Sequence, residues 1–169
     1  MEAIENILTR RSFRKFSDKK VSEKDIGIIL KAGMNAPSAG NERPWHFIVV
    51  KERETLNKIA DVHPYAQMLK EAQLAIIVCY DLKLIKHEGY ADQDCALASQ
   101  NILLASHALG LGSVYVGVHP RKEREDELRD VLEIPKEIIP FNIIPIGYPA
   151  ETKGKEDKSI PSRVHNEKW

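Results

Sequence analysis

The stretch from residue 90 to residue 109 limits most strongly how this chain can fold. Its pattern predicts one long helix that ends at the glycines Gly110 and Gly112. Between Cys95 and Ala105 the predicted helix is apolar nearly all round. Such a helix has to be covered on most of its sides, so we expect it to lie inside the fold rather than on its surface.

Four other segments predict buried strands, because they are short, apolar and rich in β-branched and aromatic residues. These segments are residues 45–50, 74–80, 113–118 and 141–148. A helix is predicted to begin at Ser22, which forms a capping signal with Asp25, and to stop before Pro37. Pro135 and Pro140 are expected to bracket a turn. Shorter helices are predicted at residues 4–9, 52–62, 65–72 and 122–132.

The composition predicts one ordinary soluble domain, residues 1–169. The formal net charge is +0, which argues against a nucleic-acid or membrane surface, since those need a wide basic field. No apolar run approaches the roughly 20 residues that cross a bilayer, and the opening "MEAIENIL" lacks the apolar core of a signal peptide. Cys79 and Cys95 show no paired spacing, so we expect reduced thiols and a cytoplasmic location.

The character of the chain changes after Pro149. Residues 150–169 are polar, carry few apolar side chains and show no helical stripe, so they cannot bury much surface of their own. Composition leaves two interpretations open. The segment is either a frayed tail or a tail that docks on a partner subunit, for which Arg163 and Trp169 would be suitable contacts.

The segment "ILTRRSFRKF" concentrates positive charge in a chain that is otherwise balanced. Arg10, Arg11, Arg14 and Lys15 fall within six positions. Cations at a helix C-terminus complement the helix dipole by about 0.3–1 kcal/mol each, and this would account for one or two of them. The alternative is a local anion site, because arginine suits bidentate phosphate binding and Ser12 adds a hydroxyl.

The loop "APSAGNERPW", residues 36–45, favours the ligand interpretation. Its small residues, proline and glycine let backbone groups approach a ligand closely, and Ser38 and Asn41 supply short polar groups. Taken alone, the same loop is also typical of an ordinary turn between a helix and a strand.

Other motifs give little support to a different chemistry. The glycines of "GLGS" at 110–113 follow a helix and precede a strand, the wrong order for a dinucleotide fingerprint. In "HEGYADQDC", residues 87–95, Asp92 and Asp94 suit the first turn of the long helix better than a metal site. The histidines lack ligand spacing, so no metal is predicted. The sequence contains no nucleophile elbow, Walker loop or paired catalytic carboxylates.

Taken in order, these segments resemble the nitroreductase family of flavin-dependent oxidoreductases. The resemblance rests on "RRSFRKF", "APSAGNERPWHFIVV", "DCALASQNILLASHALGLGSVYVGV", "IIPIGYP" and a late "PSR". It covers nearly the whole chain, and the first two motifs together are its most specific part. It implies an α+β fold with a mainly antiparallel central sheet flanked by helices. It also implies a homodimer in which the tail, residues 150–169, docks on the partner subunit.

The resemblance further implies non-covalent FMN at the dimer interface, in two sites built from both chains. By motif position, Arg10, Ser12 and Arg163 would hold the ribityl phosphate, with Arg11 assisting. Arg14 would lie near flavin N1 and O2, where a cation stabilises the anionic reduced ring.

Two further segments complete each site implied by the resemblance. The opposite subunit would supply a loop that packs along the isoalloxazine, namely Pro37, Ser38 and Ala39, with Asn41 as a polar contact. The "VYVG" segment, through Val116 and Gly117, would bring backbone close to the flavin edge at N5 or O4.

The implied activity is hydride transfer from NAD(P)H through flavin N5 to an electron-poor acceptor, such as a nitroaromatic or a quinone, in a ping-pong cycle. No side chain is assigned as a general acid. Because the fold does not fix the chemistry, a dehalogenase, an enone reductase, a flavin-cleaving enzyme and a non-catalytic FMN-binding protein remain open. The chain departs from the family at Arg43, where glutamine is common, and at Pro161, where longer relatives carry lysine.

Overall fold

A computed structural model describes residues 1–154 and 156–169 of the chain. The helices in these ranges are α1 (Ala3–Thr9), α2 (Glu23–Met34), α3 (Arg53–Val62), α4 (Ala91–Ala108) and α5 (Lys122–Leu132). The strands are β1 (Trp45–Val50), β2 (Leu74–Asp81), β3 (Gly112–Ser113), β4 (Val116–Gly117) and β5 (Ile138–Gly147). Short 3₁₀ turns lie at Ala39–Asn41, Gln67–Lys70 and Pro161–Arg163.

The strands form one antiparallel sheet in the order β1–β2–β5–β3, and β4 also pairs with β5. Successive side chains of β2 point to opposite faces of this sheet. Ala75 and Ile77 pack in a cluster with α3 and α5, whereas Leu74 and Ile76 pack with α2 and α4. Burial on both faces explains why β2 is a continuous apolar run rather than an alternating one. The predicted antiparallel sheet flanked by helices is therefore confirmed.

The start of α2 follows the predicted capping signal. The hydroxyl of Ser22 accepts a hydrogen bond from the backbone N–H of Asp25, at 3.1 Å, and Ser22 is the N-cap residue. The helix ends at Met34, before Pro37, as expected. One face of α2 packs on α4 at Gly33, where an added Cβ would lie 2.9 Å from the side chain of Ile102.

The long helix α4 is buried along most of its length, but not on every side. Ala98, Ser99 and Ile102 are fully buried, in agreement with the prediction. A strip that includes Leu97 and Gln100 is exposed in the single chain, and Leu97 keeps 44% of its surface. No helix among the described residues, α4 included, is long and apolar enough to cross a membrane.

The single strand predicted at 113–118 is wrong, because the structure divides it into β3 and β4. The gap between them falls opposite Pro145 on β5. The carbonyl oxygen of Ile146 points toward β2, because it accepts a hydrogen bond from the backbone N–H of Gln73. The backbone polar groups of successive residues point to opposite sides of a strand, so those of the preceding residue, Pro145, point toward the gap. Proline has no N–H to donate there, and the ladder is interrupted.

The turn predicted between Pro135 and Pro140 is present at its first end, where the N–H of Ile138 donates to the carbonyl oxygen of Pro135 at 3.0 Å, but Pro140 does not close it. β5 begins at Ile138, and Pro140 lies inside the strand, paired with Cys79. The register of the two strands shifts between Val78 and Cys79. A bulge of this kind is one of the few places where a sheet accommodates proline.

Candidate functional site

The basic segment, residues 10–15, lies directly beside β3. Ser12 forms an isolated parallel bridge with Ser113, and the backbone N–H of Phe13 donates to the carbonyl oxygen of Ser113 at 3.0 Å. This close approach explains the glycine at 112, since a Cβ there would lie 2.9 Å from the Cβ of Phe13. The sheet edge therefore fixes the backbone of the basic segment.

The residues that follow β5 hold the other side of the basic segment. The backbone N–H of Arg14 donates to Oε1 of Glu151 at 2.8 Å. This hydrogen bond, aided by the nearby Lys153 ammonium, lowers the pKa of Glu151 despite its partial burial. Lys153 donates from Nζ to the carbonyl oxygen of Ser12 at 2.6 Å. The beginning of the predicted tail is thus packed on its own chain.

A cavity of 780 Å³ lies between α1 and residues 156–159, and Arg10 and Arg11 line it. Arg11 already has partners, because it donates to the carbonyl oxygen of Gly154 at 2.6 Å and pairs with Glu156 at 2.9 Å. The Arg10 side chain makes no hydrogen bond or salt bridge within residues 1–154 and 156–169. Its guanidinium is therefore free to bind an anion, but the carboxylates of Glu5, Glu156 and Asp157 also line this cavity and would compete for it.

A second cavity, of 500 Å³, brings together three of the predicted site residues, Arg14, Val116 and Gly117. A Cβ added at Gly117 would have only one neighbouring atom within 4 Å, in the Tyr115 ring at 3.9 Å. The protein itself thus leaves room for a side chain at this position. Its absence keeps the backbone open to whatever occupies the cavity.

Two side chains that the sequence analysis did not identify fix the carbonyl oxygen of Gly117. Nε2 of His63 lies 3.1 Å from this oxygen, and Nη1 of Arg124 donates to it at 3.2 Å. Because a carbonyl only accepts, His63 carries a proton on Nε2, and its Nδ1 accepts from the backbone N–H of Tyr65 at 3.3 Å. Burial lowers the pKa of His63 by more than the Gly117 bond raises it, which favours this neutral tautomer.

The sequence contained a signal for one of these two residues. His63 continues the buried stripe of α3 that runs through Leu56, Ile59 and Ala60, so its burial could have been predicted from helical spacing. Arg124 stands in the charged sequence "KEREDELR". Nothing in that sequence distinguishes it from its neighbours, and its role depends on tertiary contacts alone.

The loop of residues 36–43 is anchored to the first turn of α4, not to the basic segment. The backbone N–H of Ala39 donates to Oδ1 of Asp94 at 3.0 Å. Within the loop, the hydroxyl of Ser38 accepts a hydrogen bond from the backbone N–H of Arg43 at 2.9 Å. The loop therefore has a fixed shape that depends on a side chain of the long helix.

Left-handed backbone at the tip of this loop requires particular residues. Gly40 has a φ of +52°, and a Cβ there would lie 2.1 Å from Nε2 of His87. Asn41 follows with a φ of 57°, a conformation that asparagine tolerates better than most residues. Pro37 and Asn41 are both exposed, so the tip presents them outward.

Beneath the loop, Asp94 and Glu42 form a buried carboxyl pair. Burial works to raise the pKa of Glu42, but hydrogen bonds from the backbone N–H groups of Lys86 and His87, at 2.7 and 2.9 Å, outweigh it and lower that pKa. Burial raises the pKa of Asp94, and the neighbouring Glu42 carboxylate raises it further. Glu42 Oε1 and Asp94 Oδ2 have no hydrogen-bond partner among the described residues. One proton shared between these oxygens would satisfy both.

Asp92 and Asp94 lie in the first turn of the long helix, as predicted from the sequence. The burial of Asp94 and its hydrogen bond to the loop were not predicted. Helical spacing held a signal, because Asp94 lies on the same face as the buried residues Ala91 and Ala98. The partner Glu42 gave no such signal.

The two groups of predicted site residues lie at opposite ends of α4. Asp94 anchors the loop at the first turn, whereas His107 in the last turn lies 3.0 Å from Thr9, the neighbour of Arg10. These positions are 13 residues apart, or about 20 Å along a helix. The single chain therefore does not join Arg10 with the loop residues Pro37, Ser38, Ala39 and Asn41.

Arg163 is likewise separate from the basic segment in the single chain. It lies in the exposed 3₁₀ turn Pro161–Arg163, where its backbone N–H donates to the carbonyl oxygen of Ile160 at 3.0 Å. Its side chain makes no hydrogen bond or salt bridge with the part of the chain that the structure describes. The cavity beside Arg10 is bordered instead by residues 156–159.

Comparison with known proteins identifies the family. The family model described as the nitroreductase family matches residues 7–63 and 61–148. This chain belongs to the nitroreductase family. It is 54% identical over 169 residues to a protein of Methanothermobacter thermautotrophicus with the provisional name NADH dehydrogenase/NAD(P)H nitroreductase, and the match covers 100% of this chain and 88% of that one.

Solved structures agree with this assignment. A protein of Bacteroides thetaiotaomicron, with the same provisional name, superimposes with a TM-score of 0.95 at 39% identity, covering 99% of this chain and 98% of that one. A provisionally named nitroreductase of Desulfovibrio desulfuricans, solved in complex with FMN, has a TM-score of 0.84 at 28% identity. That match covers 98% of this chain and 96% of the other.

Proposed function

We propose that this protein is an FMN-dependent oxidoreductase that passes a hydride from NAD(P)H to an electron-poor acceptor, such as a nitroaromatic compound or a quinone. The observation that carries the proposal is the pair of cavities along one basic segment. Arg10 lines the first cavity and Arg14 lines the second. FMN matches this arrangement, since it has an anionic phosphate at one end and, at the other, a ring that gains negative charge on reduction. The FMN complex of the Desulfovibrio relative supports this choice.

The residues along the basic segment fit FMN. Arg10, which has no partner among the described residues, would bind the phosphate with Ser12, and Arg11 would join them by leaving Glu156. Charge-assisted hydrogen bonds from arginine to phosphate are among the strongest in proteins. The open backbone at Gly117 would leave space for the ring edge. Bound FMN supplies the redox chemistry, accepting a hydride at ring N5 and passing it on.

Electrostatics assign a separate role to Arg14. Its guanidinium lines the same cavity as Gly117, and the cavity-lining residues include no carboxylate that would neutralise it. A fixed positive charge at the ring edge stabilises negative charge there without reorganisation during turnover. Arg14 would therefore favour the reduced state of the cofactor, whereas Arg10 would contribute to its retention.

The arrangement along α4 supports a homodimer with shared sites. One chain holds the loop and Arg10 at opposite ends of α4, beside positions that are about 20 Å apart along the helix. A second copy would therefore supply Pro37, Ser38, Ala39 and Asn41 to each site. The apolar side chains Ile4, Ile7 and Leu8 of α1 are 68%, 54% and 70% exposed in the single chain. They also line the first cavity, so a second copy that covers them would close this cavity. In this proposal residues 1–169 form one FMN-binding unit. The first part of the tail stays on its own chain, through Glu151, Lys153 and Glu156. The part that follows residue 159 would cross to the partner and bring Arg163 to the partner's phosphate site.

Donor and acceptor would use the second cavity in turn. A cavity of 500 Å³ that also receives the ring edge leaves space for one planar ligand at a time, which favours a ping-pong cycle. The donor gives up a hydride, which brings two electrons and one proton to the acceptor, and the acceptor takes a second proton from water. The chain's contribution is to orient the two ligands and to supply the charge of Arg14.

The proposal is tested on the purified protein. We expect bound FMN, visible as a flavin absorption band, that NADH or NADPH bleaches in the absence of oxygen. Addition of a nitroaromatic or a quinone should restore the band, and initial-rate plots at several acceptor concentrations should give parallel lines. A colourless protein that does not bind added FMN would overturn the proposal. An FMN-loaded protein that neither nucleotide reduces would point to a binding role without this chemistry.

A further inference from the structure

The second cavity contains a cation that the proposed cofactor site does not use. Arg124 lines this cavity together with Arg14. It lies in the first turn of α5, where the helix dipole disfavours positive charge. The position of Arg124 is therefore not explained by the stability of its own helix.

Tertiary contacts hold the Arg124 guanidinium in place. One N–H donates to the Gly117 carbonyl oxygen at 3.2 Å, and the group lies over the Tyr65 ring, 5.1 Å from its centroid. Arginine carries five N–H donors, so four remain without an acceptor among the described residues. The guanidinium is oriented in advance but only partly satisfied, as expected for a group that binds a ligand.

The rest of the cavity suits a planar ligand with negative charge. Tyr65 and Tyr115 supply aromatic walls and are 65% and 41% exposed. The lining residues include two arginines and neither aspartate nor glutamate. An anion that enters this cavity therefore meets positive charge without a competing carboxylate.

We propose that Arg124 determines acceptor specificity and that the preferred electron acceptors are planar aromatic compounds bearing a carboxylate. This inference rests on the proposed function, since it assumes that Arg14 serves the cofactor and leaves Arg124 for the acceptor. The carboxylate would bind the free N–H groups of Arg124 while the aromatic ring packs between the tyrosines and the flavin. Bidentate geometry makes arginine selective for carboxylates over neutral amides.

The test compares two acceptors that differ in charge and little in shape, 4-nitrobenzoate and 4-nitrobenzamide, on the FMN-loaded protein, with NADH and with NADPH as donor. We expect kcat/KM for the benzoate to exceed that for the benzamide by about tenfold, as for one charge-assisted contact. Arg124→Gln keeps a donor for Gly117 but removes the charge, and it should lower the ratio about tenfold, through a higher KM for the benzoate. Arg124→Lys should retain part of the preference.

Arg121→Gln is the matched control, because Arg121 is an exposed arginine at the N-cap of the same helix and does not line the cavity. It should leave the ratio as in the wild type. The affinity for benzoate gives a second measurement. Benzoate binding is monitored, without turnover, through the change that it causes in the flavin absorption spectrum. Its dissociation constant should rise about tenfold in Arg124→Gln, while the dissociation constant of FMN stays close to that of the wild type.

The outcomes separate this inference from the function on which it rests. If both acceptors are reduced and Arg124→Gln leaves their ratio unchanged, the acceptor inference is wrong and the oxidoreductase remains. If the substitution changes instead the preference between NADH and NADPH, Arg124 serves the donor's phosphate and the inference is again wrong. If neither acceptor, nor a quinone, is reduced with NADH or with NADPH, the proposed function has failed. Unaltered benzoate binding in Arg124→Gln would then show that Arg124 does not bind a carboxylate either.

Discussion

Nε2 of His63 lies 3.1 Å from the carbonyl oxygen of Gly117. The same ring accepts a hydrogen bond at Nδ1 from the backbone of Tyr65, and a doubly protonated ring could not accept it. Burial lowers the pKa of His63 in the folded chain, so the unfolded chain binds the proton more readily. We therefore expect the folded state to lose stability as pH falls from about 6.5, the ordinary histidine value, toward the lower folded value.

The free energy of unfolding is measured by urea titration for the wild type and for His63→Gln, from neutral pH down to a pH below the pKa of His63 in the folded chain. Glutamine keeps a donor near Gly117 but does not titrate, so the variant should lose less stability on acidification than the wild type. His165→Gln, in the exposed tail, is the control and should follow the wild type. Parallel profiles for His63→Gln and the wild type would contradict the assignment.

Substitution at Gly117 should separate folding from cofactor binding. A Cβ at this position has one neighbour within 4 Å, at 3.9 Å, so Gly117→Val is expected to fold with a melting temperature close to the wild type when FMN is absent. Its branched side chain would occupy the cavity, and we expect FMN to bind at least tenfold more weakly, as measured by quenching of flavin fluorescence.

Gly27→Ala is the matched control for this substitution. Gly27 lies in α2 with nothing within 4 Å of an added Cβ. Alanine there should stabilise the helix by about 0.5–1 kcal/mol and leave the affinity for FMN unchanged. Equal FMN binding by Gly117→Val and the wild type would remove the 117 backbone from the proposed site.

Arg10→Ala should weaken FMN binding without unfolding the chain. The Arg10 side chain has no partner among the described residues, so folding does not depend on its charge, whereas a phosphate would lose a contact worth about 1.5–3 kcal/mol. This corresponds to a rise in the FMN dissociation constant of tenfold or more. Lys15→Ala, at the exposed end of the same segment, should have little effect, and a larger effect at Lys15 than at Arg10 would reverse the assignment.

Asp94→Ala should loosen the loop of residues 36–43. The substitution leaves the backbone N–H of Ala39 without its acceptor, at a cost of about 1–3 kcal/mol, and hydrogen exchange of that amide should accelerate. Asp94→Asn keeps an acceptor for Ala39 and provides a donor for Glu42, so its loss of stability should be smaller. Equal losses in the two variants would show that the hydrogen bond to Ala39 does not anchor the loop.

Sequence patterns predicted the elements whose causes are local. The cap at Ser22 and the apolar run of β2 depend on neighbouring residues and on burial, and both were found at or near the predicted positions. The split between β3 and β4 could not be read from residues 113–118. Its cause, the missing N–H of Pro145, lies on another strand, and only the sheet register brings the two together.

In the candidate site too, some residues could be predicted from local motifs and others depend on tertiary contacts. Motif resemblance selected Arg14 and Gly117, and the structure places both on one cavity. It also selected the loop at 37–41, which the single chain holds at the far end of α4. His63 and Arg124 escaped notice because their significance lies in a shared contact with the Gly117 carbonyl oxygen. His63 precedes Gly117 by 54 positions and Arg124 follows it by 7. The spacing within a motif gives no information about contacts of this kind.

The separation of the two half-sites along α4 has a genetic consequence. In the proposed dimer, a chain with Arg10→Ala and a chain with Asp94→Ala would each form defective pairs with copies of themselves. In a mixed pair, both lesions fall in one site and the other site is assembled from undamaged halves. Two poorly active preparations should therefore regain activity when their subunits are allowed to exchange. In a cell that carries both mutant alleles, the two alleles should complement each other, although they belong to the same gene.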